Sequence, residues 1–130
     1  MWMVPALPMH GAYQGKTDYA KAKYPNLNWI DGASGSEEEL MTAQGVLDFQ
    51  KYIREELKRC DDVSDLAEKI ISRNPELVIV SQEVGYGVVP VDAFDRKYRE
   101  AVGRVCTKLA AYSSKVTRVV CGIGTVIKDA

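Results

Sequence analysis

Histidine and cysteine are few in this chain of 130 residues and an excess of basic charge is missing, and each of these features argues against a class of protein. Histidine occurs once, and the three cysteines, Cys60, Cys106 and Cys121, are widely spaced without a C-x-x-C pair. This pattern argues against a zinc site and is typical of reduced, buried thiols in a cytosolic protein. The formal net charge is -1 and no Lys/Arg cluster occurs, which argues against a nucleic-acid partner.

Long apolar runs are also missing. The N-terminal stretch MWMVPALPM is apolar, but it is short, interrupted by Pro5 and Pro8, and lacks a basic flank. It therefore predicts neither a membrane span nor a secretion signal. The composition, 46% hydrophobic and 27% charged, is ordinary for a globular protein. We expect a soluble, cytoplasmic protein that folds as a single domain over residues 1–130.

The chain does contain an alternation of strand and helix patterns. Four apolar runs predict strands, at Trp2–Leu7, Leu27–Asp31, Leu77–Ser81 and Val116–Cys121. Helical patterns lie between them, over 16–23, from Ser36 to about Arg59 with an interruption at Gly45, over 61–73 and over 92–112. GIGTVIK is expected to trail out after the last strand. This order predicts an α/β fold with a mostly parallel sheet of about four strands.

The stretch HGAYQGKT lies between the first predicted strand and the first helix. Its last residues match the end of the phosphate-loop motif G-x-x-x-x-G-K-[ST], but a histidine replaces the first glycine. Such a loop surrounds phosphate oxygens with backbone N–H groups at a helix N-terminus. The predicted nucleotide-binding residues are His10, Gly11, Ala12, Tyr13, Gln14, Gly15, Lys16 and Thr17. Lys16 is the expected catalytic cation, and Thr17 is the expected Mg²⁺ ligand. The alternative is a plain strand-to-helix turn with an exposed lysine.

Phosphoryl-transfer enzymes with this loop also need an acidic residue near the metal, usually at a strand end. Two residues have that position, because Asp31 ends the second predicted strand and Glu83 follows the third. We favour Glu83 as the catalytic and metal-supporting residue, since it follows the most apolar strand, although a loop carboxylate is an equally good interpretation of either. Gly85 and Gly87, just beyond Glu83, let the backbone approach a ligand or simply turn.

Three arginines of the last predicted helix are secondary candidates. Arg96, Arg99 and Arg104 lie mostly off its apolar stripe. Arginine forms bidentate hydrogen bonds with phosphate, so these side chains either clamp an anionic group or are merely solvated.

Several of these residues occur together in a known pattern. The segment from Leu77 to Lys128 resembles the C-terminal part of the bifunctional adenosylcobinamide kinase/adenosylcobinamide-phosphate guanylyltransferase family of cobalamin biosynthesis. That family has N-E-V-G-x-G-I-V-P after a strand, then R-x-x-R-D-x-x-G-R-x-N, and a phosphate loop like G-G-A-R-S-G-K-S. The first motif is matched at Glu83, Val84, Gly85, Gly87, Val89 and Pro90, and the second at Arg96, Arg99, Gly103 and Arg104. HGAYQGKT aligns with the loop position by position.

The resemblance implies a P-loop NTPase-like (RecA-like) three-layer fold with a mostly parallel central sheet. It implies phosphoryl transfer from GTP or ATP, with Mg²⁺, to the hydroxyl of the aminopropanol arm of adenosylcobinamide. It also implies a homo-oligomer.

This chain departs from the family at several points, which leave two functions open. Gln82 replaces the usual asparagine, Cys106 replaces the asparagine of the second motif, and the middle of the chain is shortened. The family carries a guanylylated histidine after its second strand, whereas ASGSEEELMTAQGVLDF contains none, and VLDF is a poor match for the family's D-C-L-T-like stretch. Guanylyl transfer by that route is therefore disfavoured. The two hypotheses are a kinase-like enzyme and a non-catalytic nucleotide-binding, regulatory or structural subunit.

Overall fold

A computed structural model of the chain describes residues 2–6, 21–60, 62–82, 92–120 and 123–129. The backbone alone is described for 2–6, 118–120, 123–125 and 128. The predicted phosphate loop and the Glu83, Gly85 and Gly87 positions lie outside the described residues.

The described elements alternate between strands and helices along most of the chain. The strands are β1 Trp2–Ala6, β2 Trp29–Asp31, β3 Gly45–Leu47, β4 Val78–Gln82, β5 Lys115–Val120 and β6 Ile123–Asp129. The helices are α1 Glu37–Thr42, α2 Phe49–Cys60, α3 Leu66–Arg73 and α4 Ala93–Tyr112. Residues 21–23 are also helical and belong to the helix predicted over 16–23.

The strands form one six-stranded sheet in the order β2-β3-β4-β1-β5-β6. Every neighbouring pair is parallel except β5 and β6, which form an antiparallel edge pair. β1 lies between β4 and β5, so the segment that follows β1 starts near the middle of the sheet's carboxyl edge. The prediction of an α/β fold with a mostly parallel sheet is confirmed.

Both faces of β4 are covered by apolar side chains. Leu77 and Ile79 belong to the larger core cluster, to which all four helices contribute. Val78 and Val80 alternate with them and form a smaller cluster with Tyr24, Leu27, Trp29 and Leu47. Successive residues of a strand point to opposite faces of a sheet, so β4 is buried on both sides, as its unbroken apolar sequence predicts.

Two elements differ from the sequence predictions. Gly45–Leu47 is strand β3, although the pattern predicted a helix only interrupted at Gly45. The helix instead begins at Phe49, because the backbone turns at Asp48, whose φ of 55° lies in the left-handed region. GIGTVIK was predicted to trail out, but 123–129 form strand β6. The sheet therefore has six strands rather than about four.

Capping side chains define the starts of two of the helices. Ser36 and Glu39 form a capping box at the start of α1, with each side chain accepting a hydrogen bond from the other residue's backbone N–H. Asp92 caps α4 by accepting a hydrogen bond from the backbone N–H of Asp95 at 2.7 Å. α3 starts at Leu66 rather than near 61, because Asp62 accepts a hydrogen bond from the Ser64 N–H and holds a turn there. No helix in the described part of the chain is long and apolar enough to cross a membrane.

Candidate functional site

The carboxyl edge of the parallel strands brings several polar residues together. Ala6, the last residue of β1, is in register with Gln82, the last residue of β4. In open parallel sheets, ligands bind outside this edge. The predicted loop 10–17 follows β1 and the predicted acid Glu83 follows β4, so both segments leave the sheet from adjacent strands.

A buried carboxylate lies at the same edge, one strand further along. Asp48 directly follows β3 and is only 5% exposed. Its backbone has a φ of 55°, a conformation that aspartate and asparagine adopt more readily than most residues. Lys51 Nζ lies 3.7 Å from Asp48 Oδ2. A buried acid of this kind is unusual unless it has partners or a function.

Gln50 links Asp48 to β4. Its Nε2 donates to Asp48 Oδ1 at 3.3 Å, and its Oε1 accepts from the backbone N–H of Gln82 at 2.9 Å. Gln50 is itself 3% exposed. One buried side chain thus connects the ends of β3 and β4, and it fixes the Asp48 carboxylate relative to the strand that adjoins β1.

Asp31, the described member of the two predicted acids, has a different environment. It ends β2 and is exposed, and its Oδ1 accepts from the backbone N–H of Ala33 at 2.9 Å. This contact shapes the turn that leads to α1. Asp31 therefore serves the local backbone, which matches the interpretation of it as a loop carboxylate.

The three predicted arginines of α4 have separate environments. Arg99 is 17% exposed at its side chain and pairs with Asp95 at 3.0 Å. Arg96 and Arg104 are exposed. Of these three, Arg99 alone lines a described cavity.

Three described cavities open between the helices. Two of them, of about 350 and 400 Å³, share the side chains of Tyr52, Glu56 and Arg59. The third, of about 260 Å³, lies between α2 and the first turns of α4 and is called here the Arg54 groove. It is lined by Arg54, Asp92, Phe94, Asp95, Tyr98 and Arg99.

Two tyrosines that line these cavities have side-chain pKa values above the ordinary value for tyrosine. Burial raises the pKa of Tyr52 to about 12, and the negative charge of Glu37 adds to the rise. Its hydroxyl is buried without a hydrogen-bond partner among the described residues. Burial also raises the pKa of Tyr98 to about 12, which the Arg54 guanidinium opposes and the charges of Asp95 and Asp48 support. Both side chains are neutral phenols at pH 7.

The donor set at this edge suits a Mg²⁺ ion held partly by a substrate. No group of three or more His, Cys, Asp or Glu side chains among the described residues could hold a metal ion alone. Mg²⁺ prefers oxygen ligands, and it usually binds one or two carboxylates together with substrate phosphates and water. Asp48, whose carboxylate is the one buried among the described residues, fits that mode.

Asp48 and Gln50 were missed by the sequence reasoning because a helical spacing runs through them. Val46, Phe49, Ile53 and Leu57 recur at helical intervals, which hid the short strand before Phe49. A signal was present, since VLD is an apolar pair followed by an acid, directly before a helix.

Comparisons with known proteins agree on one family. The family model described as cobinamide kinase / cobinamide phosphate guanyltransferase matches residues 29–127. The bifunctional adenosylcobalamin biosynthesis proteins CobU of Salmonella typhimurium and of Escherichia coli are each 45% identical to this chain over 53 residues. That alignment covers 41% of this chain and 29% of each relative, so the match spans less than a third of the relatives' length. The family match begins after the HGAYQGKT stretch.

Proposed function

The chain belongs to the cobinamide kinase / cobinamide phosphate guanyltransferase family, and from this membership we propose that it binds a purine nucleoside triphosphate and transfers a phosphoryl group in cobalamin biosynthesis. The nucleotide is GTP or ATP with Mg²⁺. The acceptor is the hydroxyl of the aminopropanol arm of adenosylcobinamide, as the sequence resemblance implies. The protein acts in the cytoplasm as a single P-loop domain of the RecA-like, three-layer type.

The observation that carries this proposal is the polar network at the carboxyl edge. Gln50 joins the buried Asp48 to Gln82 of β4 through hydrogen bonds of 3.3 and 2.9 Å. β4 adjoins β1, which leads into the loop with Lys16 and Thr17. Phosphoryl transfer needs a carboxylate near the phosphate loop, and Asp48 follows a strand that lies two positions from β1 at the same edge of the sheet.

Each residue has a defined role in the proposed reaction. The N–H groups of 10–15 and the Lys16 ammonium hold the phosphate oxygens, and Thr17 contributes a hydroxyl ligand for Mg²⁺. Asp48 and Glu83 supply carboxylate oxygen near the metal. When bound, Mg²⁺ neutralises charge on the phosphate oxygens. The terminal phosphoryl group leaves the nucleoside diphosphate and bonds to the acceptor oxygen, whose proton is released.

Asp48 has one advantage over Glu83 as the principal metal-supporting acid. Its carboxylate is 5% exposed and held by Gln50, so it is preorganised and costs little further ordering when the metal binds. In this arrangement Glu83 interacts with the attacking hydroxyl or with the groups around the phosphates. This division differs from the sequence-based preference for Glu83 alone.

Calorimetric titration with Mg-GTP and with Mg-ATP tests nucleotide binding. We expect micromolar affinity for one of them in the wild type and its loss in Lys16→Ala, because the ammonium directly neutralises phosphate charge. Lys21→Ala is the matched control, since this exposed lysine lies four residues after Thr17 in the sequence. Absence of heat with both nucleotides would contradict the proposal. A phosphorylation assay with adenosylcobinamide then tests the acceptor.

A non-catalytic nucleotide-binding or regulatory subunit is the second candidate function. The observation that favours it is the absence of histidine from the segment 33–49, since the chain's one histidine is His10. This hypothesis predicts nucleotide binding that Lys16→Ala abolishes, without phosphoryl transfer to adenosylcobinamide. The phosphorylation assay therefore separates the two functions.

Self-association is part of the proposal. The edge strand β6 exposes Val126 by 48% and Ile127 by 59%, and apolar residues on an open edge favour pairing with another chain. Light scattering after size-exclusion chromatography measures the oligomeric state directly. A wild-type oligomer that Ile127→Lys weakens supports assembly through β6, whereas a monomeric wild type contradicts it.

A further inference from the structure

The Arg54 groove is formed where two helices leave adjacent strands. α2 begins after β3 and α4 follows β4, and the two helices are in contact. Arg54 and Tyr98 each lie in the second turn of their helix, and the Arg54 guanidinium carbon lies 5.7 Å from the centre of the Tyr98 ring. The groove between them has a volume of about 260 Å³. That volume accommodates a phosphate group with part of the molecule that carries it.

The two carboxylates that line the Arg54 groove already have positive or N–H partners. Asp92 accepts from the backbone N–H of Asp95 at 2.7 Å. Asp95 in turn forms an ion pair with Arg99 at 3.0 Å. Neither acid is shown paired with Arg54: Arg99 offsets the charge of Asp95, and the Asp92 carboxylate is held at the N-terminus of α4.

Arg54 is the lining cation without such a partner. Among the described residues it forms no ion pair, and its contact is the face of the Tyr98 ring. A guanidinium on an aromatic face keeps its in-plane N–H donors for other acceptors. The planar donors match the geometry of two phosphate oxygens, which makes phosphate a better ligand here than a neutral or cationic group.

The groove is also close to the acid at the carboxyl edge. Asp48 directly precedes α2, and its negative charge acts on the phenol of Tyr98. A helix rises about 1.5 Å per residue, so Arg54 lies within about 10 Å of Asp48 along α2. A molecule that is bound at Arg54 therefore reaches the edge where the proposed reaction takes place.

We propose that the Arg54 groove binds a phosphate group of a substrate, with Arg54 as its principal anchor and Tyr98 as the platform that orients the guanidinium. The inference rests on the proposed function, because it assigns that phosphate either to the nucleotide or to the phosphorylated acceptor. Arg54 is then a substrate-binding residue outside the predicted loop. Nothing in the matched motifs includes it.

Inorganic pyrophosphate tests the groove without requiring a working phosphate loop. The readout is the NMR resonances of the Tyr98 ring, assigned by comparison with Tyr98→Phe, in a Lys16→Ala background. We expect saturable shifts in the Lys16→Ala protein and their loss when Arg54→Ala is added. Arg59→Ala is the matched control, because this arginine lies on the same helix and pairs with Glu56. Shifts that persist in Arg54→Ala, or that never occur, overturn the inference.

Calorimetry then distinguishes the two possible sources of the phosphate. Mg-nucleotide, adenosylcobinamide and its phosphate ester are titrated into wild type, Arg54→Ala and Arg54→Lys. A charge-assisted hydrogen bond contributes enough that its loss weakens binding about tenfold. Weaker binding of the nucleotide alone assigns the groove to the nucleotide, and weaker binding of the ester alone assigns it to the phosphorylated acceptor. Arg54→Lys should give an intermediate loss, since it keeps the charge but not the planar donors.

The two proposals fail in different ways. If the wild type binds no nucleotide, the proposed function fails, whatever the pyrophosphate experiment gives. If it binds nucleotide and ester, but Arg54→Ala changes neither affinity by more than about twofold, the groove inference fails and the proposed function stands. Arg54 is exposed, so its replacement should leave the thermal midpoint unchanged, and a melting curve verifies this.

Discussion

The carboxyl ends of β2 and β3 are neighbours in the sheet, yet the aspartates at these two ends differ in exposure and in hydrogen-bond partners. Asp31 is in register with Leu47, the residue before Asp48. Asp31 is exposed and accepts a hydrogen bond from a backbone N–H two residues away. Asp48 is 5% exposed and is tied to another strand through Gln50. A place at a strand end thus does not by itself distinguish a candidate site residue; burial and long-range contacts separate Asp48 from Asp31.

Gly32 keeps these two ends in close contact. Its backbone N–H donates to the carbonyl oxygen of Leu47 at 2.7 Å. A Cβ atom at this position would lie 2.4 Å from the carbonyl oxygen of Asp48. The turn after β2 therefore requires glycine for space, and it supports the backbone that presents Asp48.

Gly32→Ala should have the largest effect on stability. The added methyl group collides with backbone atoms, which cannot move aside as a flexible side chain would. We expect a loss of about 3 kcal/mol in the free energy of unfolding, at the upper end of typical overpacking costs. Urea unfolding monitored by circular dichroism measures the change.

Gly103→Ala is the matched control for that substitution. Gly103 lies in α4 with nothing within 4 Å of an added Cβ, so the change should stabilise the helix by about 0.5–1 kcal/mol. Equal unfolding midpoints for Gly32→Ala and Gly103→Ala would show that the turn after β2 does not hold the strand ends together.

Gln50→Ala and Gln44→Ala compare a buried side chain that forms long-range hydrogen bonds with an exposed one. The substitution removes the acceptor of the Gln82 N–H bond and a donor to Asp48 inside the protein, which should cost about 2 kcal/mol. Gln44 is the control, because its Oε1 accepts from the Asn28 N–H at 2.7 Å in an exposed position. Gln44→Ala should cost about 0.5 kcal/mol, since water replaces the bond. Similar losses of unfolding free energy in Gln50→Ala and Gln44→Ala would contradict the expectation that burial makes the Gln50 hydrogen bonds more stabilising.

Asp48→Asn and Asp31→Asn test which carboxylate supports the metal. Asparagine tolerates the positive φ at position 48, so the fold should persist while the charge is lost. We expect Mg²⁺-dependent nucleotide affinity to fall about tenfold in Asp48→Asn, within the range seen when metal surroundings are altered. Asp31→Asn should leave it unchanged. Calorimetry with and without Mg²⁺ measures both, and a loss confined to Asp31→Asn would reverse the assignment.

The smallest expected effect concerns the Tyr98 phenol. Burial raises the pKa of Tyr98 from 10.0 to about 12, and the charge of Asp48 is among the lesser contributions. The folded protein keeps this proton where the unfolded chain releases it, so the group's contribution to stability is complete below pH 10 and is lost as the pH rises through about 12. Asp48→Asn should lower the Tyr98 midpoint in an NMR titration, and Asp31→Asn should not.

The sequence predicted the long, strongly patterned elements well. The buried strand at Leu77–Ser81 is β4, Val78–Gln82, and the helix over 92–112 is α4, Ala93–Tyr112. The helix predicted from Ser36 has that residue as its N-cap, because the hydrogen bonds of the capping box are local. Each of these features depends on residues that are close in sequence.

The site was predicted less completely because it depends on contacts between distant residues. Gln50 and Gln82 meet only after β3 and β4 are paired. The three residues of β3 are too few to give a periodic signal, and its residue Val46 also fits the helical spacing of α2. The loop at 10–17, Glu83, Gly85 and Gly87 lie outside the described residues, so their roles remain predictions.

The place of β1 in the sheet has a consequence for how the protein is synthesised. β1 is bonded to β4 on one side and to β5 on the other. Residues 2–6 are made before the other strands of the sheet, yet the second of their two neighbours does not exist until Lys115–Val120 has been translated. The nascent first strand keeps an open edge until then, which is the kind of surface that chaperones protect. Translation that stops before β5 therefore yields a chain in which the strand preceding the proposed nucleotide loop is only half supported.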